Sequence, residues 1–283
     1  MKRMVFISFL LGLFLFFGNT VLAEKMSVSF FPEQIIQGEP LMVQVNSSST
    51  VQKITFDGKL QKVFQYNEKP TSFIGIDLRK KPGVYEAVAE LSNGSIIKNI
   101  VTVGERKKIE TSFSIPQKLG GDTLQSQNNL ANTLAEENKT LENLYTGKKI
   151  FWTSKFIPPL EQIIVTDDYG YSRKTGSYSI AHKGVDYRAK EGMKVMSINR
   201  GVVRMTRNYR NYGKVIVVDH GLGLQSFYLH LSKIKVNEGE LVQKGQVIGL
   251  SGQTGYADAP HLHLSIRINN ISVDPVKFFD LFY

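Results

Sequence analysis

The chain has no cysteine, so it holds no disulfide and no N-terminal cysteine for a lipid anchor, and its domains must stand on their cores alone. Acidic residues are the minority, 25 Asp and Glu against 35 Lys and Arg, for a formal net charge of +10. Such a balance draws a protein to anionic surfaces through an attraction that salt screens. Long apolar runs are missing too. The run Val5 to Phe17 is short for a membrane span, which needs about 20 residues. Histidine is scarce, with five in 283 residues.

What stands at the N-terminus reads as an export signal. Lys2 and Arg3 form a positive stretch, Val5 to Phe17 an apolar one, and Val21-Leu22-Ala23 a small-residue cleavage site. The expectation is a signal peptide over residues 1–23 and an exported protein of the cell envelope, periplasmic or extracytoplasmic. Contact with a membrane would come only through this segment if it stayed uncleaved. An exported chain rarely meets nucleic acid, so none is expected as a partner.

With 42% hydrophobic residues the chain is globular, and its length suits two domains. Over residues 27–104, short strand-like runs recur at Ser27–Phe31, Leu41–Val45, Val51–Phe56, Lys59–Tyr66, Thr71–Leu78, Val84–Leu91 and Ser95–Val103. Asp57-Gly58, Lys81-Pro82-Gly83 and Asn93-Gly94 are the turns between them. This pattern predicts an immunoglobulin-like β-sandwich, without the Cys and Trp markers. No catalytic constellation falls in it. Its role is that of a spacer or of a docking surface for the wall or a divisome protein.

Residues 105–150 read as a linker with a helix over about 122–146. Asp122 with Gln125 reads as a capping box and Gly147 as the stop. Leu130, Leu134, Leu141 and Leu144 share a stripe with Glu137, so the helix is expected to pack on a domain rather than form a coiled coil. Its many Asn and Glu residues suggest that one of them could fold over the site described next. The third region, 151–283, carries that site.

Three of the five histidines cluster in His182-Lys183-Gly184-Val185-Asp186 and Pro260-His261-Leu262-His263. Histidine and aspartate at these spacings are ligand chemistry for zinc. Side chains alternate faces along a strand. The run from His261 to Ile268 therefore puts His261, His263, Ser265 and Arg267 on one face and Leu262, Leu264, Ile266 and Ile268 on a core. By the same rule Ser226, Tyr228 and His230 share a face opposite Phe227, Leu229 and Leu231. His220, in a Gly-rich turn, reads as structural. Arg173 and Tyr228 are candidates for the cleft border, and Arg200, Arg204, Arg207, Arg210 and Lys214 read as a solvated basic face that would also suit an anionic wall polymer.

From about Phe156 to Phe279 the sequence resembles the lysostaphin/LytM-type zinc endopeptidases. The pieces stand in that family's order: Tyr169 to Arg173, His182 to Asp186, Asp219 to Gly223, Tyr228 to Ser232, Gly245 to Gly249, Ser251 to Gly255, Pro260 to His263, and Asp274-Pro275. The resemblance implies a mostly β chain whose C-terminal part is a LytM-like antiparallel β-sheet peptidase domain. It implies one catalytic Zn2+ held by His182, Asp186 and His263, with His230 and His261 as catalytic non-ligands. It implies peptidoglycan stem peptides as partner and substrate, with D-alanyl–diamino-acid bonds as the expected point of cleavage. Some LytM-like domains are catalytically inactive, bind the wall and activate another hydrolase. Those usually lack several ligands, whereas all five expected residues stand here.

Overall fold

The computed structural model describes residues 26–142, 144–152 and 154–282, so the expected signal segment lies outside it. The chain is mostly β.

In the N-terminal region, alternation of apolar and polar residues builds two sheets. One runs Ser27–Phe31, Pro40–Asn46, Lys69–Gly75, Phe64–Tyr66. The other runs Ile35–Ile36, Ile96–Gly104, Gly83–Leu91, Val51–Phe56, Lys59–Gln61. Leu41, Val43, Val45 and Ile74 of the first meet Ile54, Ala87, Ala89, Val101 and Val103 of the second in a shared core. The single run expected from Lys59 to Tyr66 is divided. Lys59–Gln61 and Phe64–Tyr66 belong to different sheets, and the chain crosses between them at Lys62 and Val63.

The outer face of the first sheet is not free. Met42 and Phe73 join the core of the C-terminal region. Phe73 stacks on Trp152 with ring centroids 6.0 Å apart and meets Phe282 edge-on at 5.8 Å. Fully burying one such side chain contributes roughly 1.5–3 kcal/mol. Arg106 ties the same seam, donating to the Gln37 carbonyl at 2.7 Å and to Asp274 Oδ2 at 3.2 Å.

The connector forms strand Glu110–Ser112, which pairs in parallel with Ser172–Thr175; that strand in turn pairs with Tyr178–Ala181. Helix α1 spans Leu124–Glu142, shorter at its start than expected. Thr123, not Asp122, caps it, its Oγ1 accepting from the Ser126 N–H at 3.2 Å. Asp122 is taken by a tertiary partner, the Ile115 N–H at 2.7 Å. Gly147 is not the helix stop either. It lies beyond the end and donates to Asp219 Oδ2 at 2.7 Å.

The C-terminal region is built on an antiparallel sheet ordered Val165–Asp167, Val185–Arg188, His261–Ile268, Leu224–Leu231, Gly213–Gly221, Gly201–Tyr209, Leu241–Val242. Leu262, Leu264, Ile266 and Ile268 enter one core with Trp152, Phe156 and helix α2, Pro275–Asp280. On the opposite face, Val215, Val217, Phe227 and Leu229 pack against Leu141 of α1. Helix α1 thus lies across the same face that presents the histidines.

Candidate active site

Antiparallel pairing puts directly opposed residues on one face, side by side. Asp186 stands opposite His263 in the pairing of Val185–Arg188 with His261–Ile268. His182 follows the strand Tyr178–Ala181, and its backbone N–H donates to the Tyr171 carbonyl at 2.7 Å. Gly184 lets these parts approach, because a Cβ there would sit 2.3 Å from His263 Nε2.

His230 reaches the cleft by a route that the alternation rule does not give. Leu229 opposes His263 and shares the cleft face with Phe227. Regular alternation would then send His230 to the core. A register shift between Lys214 and Ile216 and a φ of 61° at His230 reverse the order. His230 turns into the cleft, while Leu231 and Tyr228 go to the core. Tyr228 therefore does not border the site; its hydroxyl accepts from the Ile198 N–H at 3.0 Å on the far face. A non-glycine residue at positive φ is strained, and such strain collects at functional sites.

Each cleft imidazole has one nitrogen pinned. His182 Nδ1 donates to the Asp168 carbonyl at 2.7 Å, His230 Nδ1 to Thr254 at 2.9 Å, and His261 Nδ1 to Ala259 at 2.8 Å. Ser265 spends its hydroxyl proton on the Lys183 carbonyl, so its oxygen accepts from His263 Nε2 at 3.3 Å. In the neutral ring the other nitrogen then carries the lone pair. His182 Nε2 and His263 Nδ1 come 3.0 Å apart, and Asp186 Oδ1 lies 3.1 Å and 2.7 Å from them. Three lone-pair atoms so close repel one another unless a cation sits among them. The donor set of two imidazoles and one carboxylate fits a zinc ion. His261 Nε2 is buried without a partner, 3.8 Å from Asp186 Oδ1, and the His230 and His261 rings stand 4.8 Å apart.

Electrostatics agrees with this proton inventory. Burial lowers the His263 pKa to about 4. Burial, then the nearby His261 and His263, holds His230 well below the ordinary histidine value. Both are neutral at pH 7. The Arg173 guanidinium binds both Asp186 and Asp167. Nothing in the spacing of Arg173 marked this pairing.

Helix α1 roofs the cleft over a cavity of about 430 Å3. None of its acidic or amide side chains touches the histidines among the described residues. Glu137 turns away to accept the Asn211 and Tyr212 N–H groups at 3.0 and 3.3 Å, and Asn138 accepts from the Tyr212 hydroxyl at 2.8 Å. The expected plug is a roof instead. His220 is structural, bound to the Arg200 carbonyl and to Ser226 on the far face. The basic residues are partly spent in the fold: Arg204 pairs with Asp219 at 2.9 Å and Arg207 with Glu238 at 2.7 Å.

Residues 180–275 match Peptidase family M23. This part of the chain is an M23 peptidase domain. The M23 domain is 43% identical over 96 residues to the peptidoglycan DD-endopeptidase ShyA of Vibrio cholerae, a match covering 34% of this chain and 22% of ShyA. It is 35% identical over 122 residues to the DD-carboxypeptidase/endopeptidase Mpg of Neisseria meningitidis, covering 43% of this chain and 28% of Mpg. The chain thus spans about a quarter of the length of these curated relatives. A crystal structure of a Pseudomonas aeruginosa protein assigned to peptidase M23 shares the fold beyond the M23 domain. Its TM-score is 0.64 at 23% identity, over 88% of this chain and 96% of that one.

Proposed function

We propose that the protein is a zinc endopeptidase that hydrolyses peptide cross-links of bacterial peptidoglycan, at D-alanyl–diamino-acid bonds, in the cell envelope. The observation that carries this is the convergence of His182 Nε2, His263 Nδ1 and Asp186 Oδ1 beside His261, whose Nε2 is buried without a partner, and the neighbouring ring of His230. The similarity to enzymes named for peptidoglycan DD-endopeptidase activity supports the substrate.

His182, Asp186 and His263 hold the metal in this reading. A zinc ion with three protein ligands supplies Lewis acidity and brings a water molecule to a pKa of about 7. His261 is the general base. Its Nδ1 proton is fixed on the Ala259 carbonyl, so its Nε2 is free to take a proton from water and pass it to the leaving amine. His230, with Nδ1 held on Thr254, faces the same space; neutral at rest, its Nε2 takes a proton from solvent only as negative charge develops on the substrate oxygen, and then donates it in a hydrogen bond to that oxyanion. Arg173 fixes the rotation of the Asp186 carboxylate.

The test is digestion of purified sacculi with the full chain, the released muropeptides being identified by mass spectrometry. Cleavage of cross-linked dimers that is lost in His261→Ala is expected. Release that persists in that variant removes the mechanism. Zinc-free protein that stimulates another hydrolase without cutting would instead mark the inactive, wall-binding type of domain.

A further inference from the structure

The polar face of the strand His261–Ile268 does not end at the metal donors. It continues through Ser265 to Arg267, which is 8% exposed and lines the same cavity as His182, His230 and His263. The other guanidinium lining this cavity is neutralised by carboxylates: Arg173 pairs with Asp167 and Asp186. Arg267 has no carboxylate within salt-bridge distance among the described residues. Its Nη1 donates to the Leu141 carbonyl at the end of α1, at 3.2 Å, and its plane lies over the Phe227 ring at 4.4 Å. Its Nε is buried and unpartnered.

Arginine keeps its charge inside a protein, and a buried charge without a counter-ion is unfavourable. A planar fork of N–H donors matches a carboxylate in bidentate fashion. Stacking on Phe227 holds that fork in place, and the cavity gives a ligand access to it. The offset is informative as well. Four residues along the strand place Arg267 about 13 Å from His263, the length of about four residues of an extended peptide.

We propose that Arg267 is a specificity-determining residue that receives a free carboxylate of the peptide substrate, a few residues away from the bond being cut. This rests on the reading of the site as a peptidase. The substrate class it defines is narrower: acidic peptides whose carboxylate lies along the cleft from the scissile bond, in preference to the same peptides amidated there.

The experiment uses the full chain and a set of synthetic cross-linked peptides, each amidated at a single carboxylate. Amidation at one position should raise KM and lower kcat/KM by about 10- to 100-fold, as a charge-assisted bond becomes a neutral one, with kcat little changed. Arg267→Met should cleave the acid and that amide alike. Equal kcat/KM for all peptides with the unaltered protein would overturn the carboxylate subsite and leave the proposed hydrolase standing. Cleavage of none of them would overturn the hydrolase, and the subsite with it. If Arg267→Met does not fold, the acid and amide pair on the unaltered protein still decides.

Discussion

Replacing Arg173 with methionine should loosen the metal centre without touching an imidazole. The Asp186 carboxylate gives Oδ1 to the space between His182 and His263 and Oδ2 to the Arg173 guanidinium. Oδ1 faces the imidazoles only while Oδ2 is held. Without Arg173, a side chain 8% exposed keeps an ionised oxygen with no partner, and Asp167 loses its partner at the same time. Removing one member of a buried pair costs about 3–5 kcal/mol of stability. Asp167 is 25% exposed, which lets water relieve part of that, so the lower end is the expected loss. Loss of a group that orients a metal ligand weakens metal affinity by about 10–100-fold. Competition against a chromogenic chelator would read the affinity, and urea denaturation of metal-free protein the stability. Arg173→Lys, which keeps the charge but not the fork, should fall between the two. An Arg173→Met protein that binds zinc within about twofold of the unaltered chain would refute the assignment of Arg173 to Asp186.

Chelator treatment should abolish muropeptide release and added zinc restore it; His261→Ala should lose about 100- to 10,000-fold in kcat while its zinc content, read by elemental analysis, stays unchanged. At His230, where φ is 61°, glycine should give a more stable protein than alanine by about 1–2 kcal/mol in urea denaturation, although both lack the imidazole; equal stability would mean that the backbone there is not strained. Burial, partly offset by the Asn211 and Tyr212 N–H groups, raises the Glu137 pKa above its ordinary 4.5. The docked helix therefore binds the proton more tightly than the undocked one, and docking weakens as pH rises from 4.5 through the raised value. Hydrogen exchange of the α1 amides, corrected for intrinsic rates, should show this loss of protection, and Glu137→Gln should flatten it.

Much of the architecture was legible because it rests on a period of two. The runs Ser27–Phe31 and Val51–Phe56 appear as strands with those bounds, and the face of Leu262, Leu264, Ile266 and Ile268 lies in the core. What failed was set by partners distant in sequence. Asp122 has a capping pattern, yet the Ile115 N–H claims its carboxylate and Thr123 caps instead. Tyr228 alternates with cleft residues on paper, but the bulge beside it turns only His230 toward the site. Arg173 does line the cleft as its motif suggested, but its pairing with Asp186 is made only by the fold.

The proton inventory of the site shows why residue types were readable and their states were not. Each imidazole is pinned by a group outside its own motif or at its edge: Asp168 for His182, Thr254 for His230, Ala259 for His261, Ser265 for His263. The strands fix where the rings stand, and the loops that carry Asp168, Thr254 and Ala259 decide which nitrogen points inward. A lone pair at His263 Nδ1 further depends on Ser265 donating its hydroxyl hydrogen to the Lys183 carbonyl. Ser265→Ala would free His263 Nε2 from its acceptor and let the ring choose the tautomer that protonates Nδ1, although every metal donor remained. The ligand set is thus a property of the motifs, whereas its readiness to bind a cation is a property of the loops packed around the sheet.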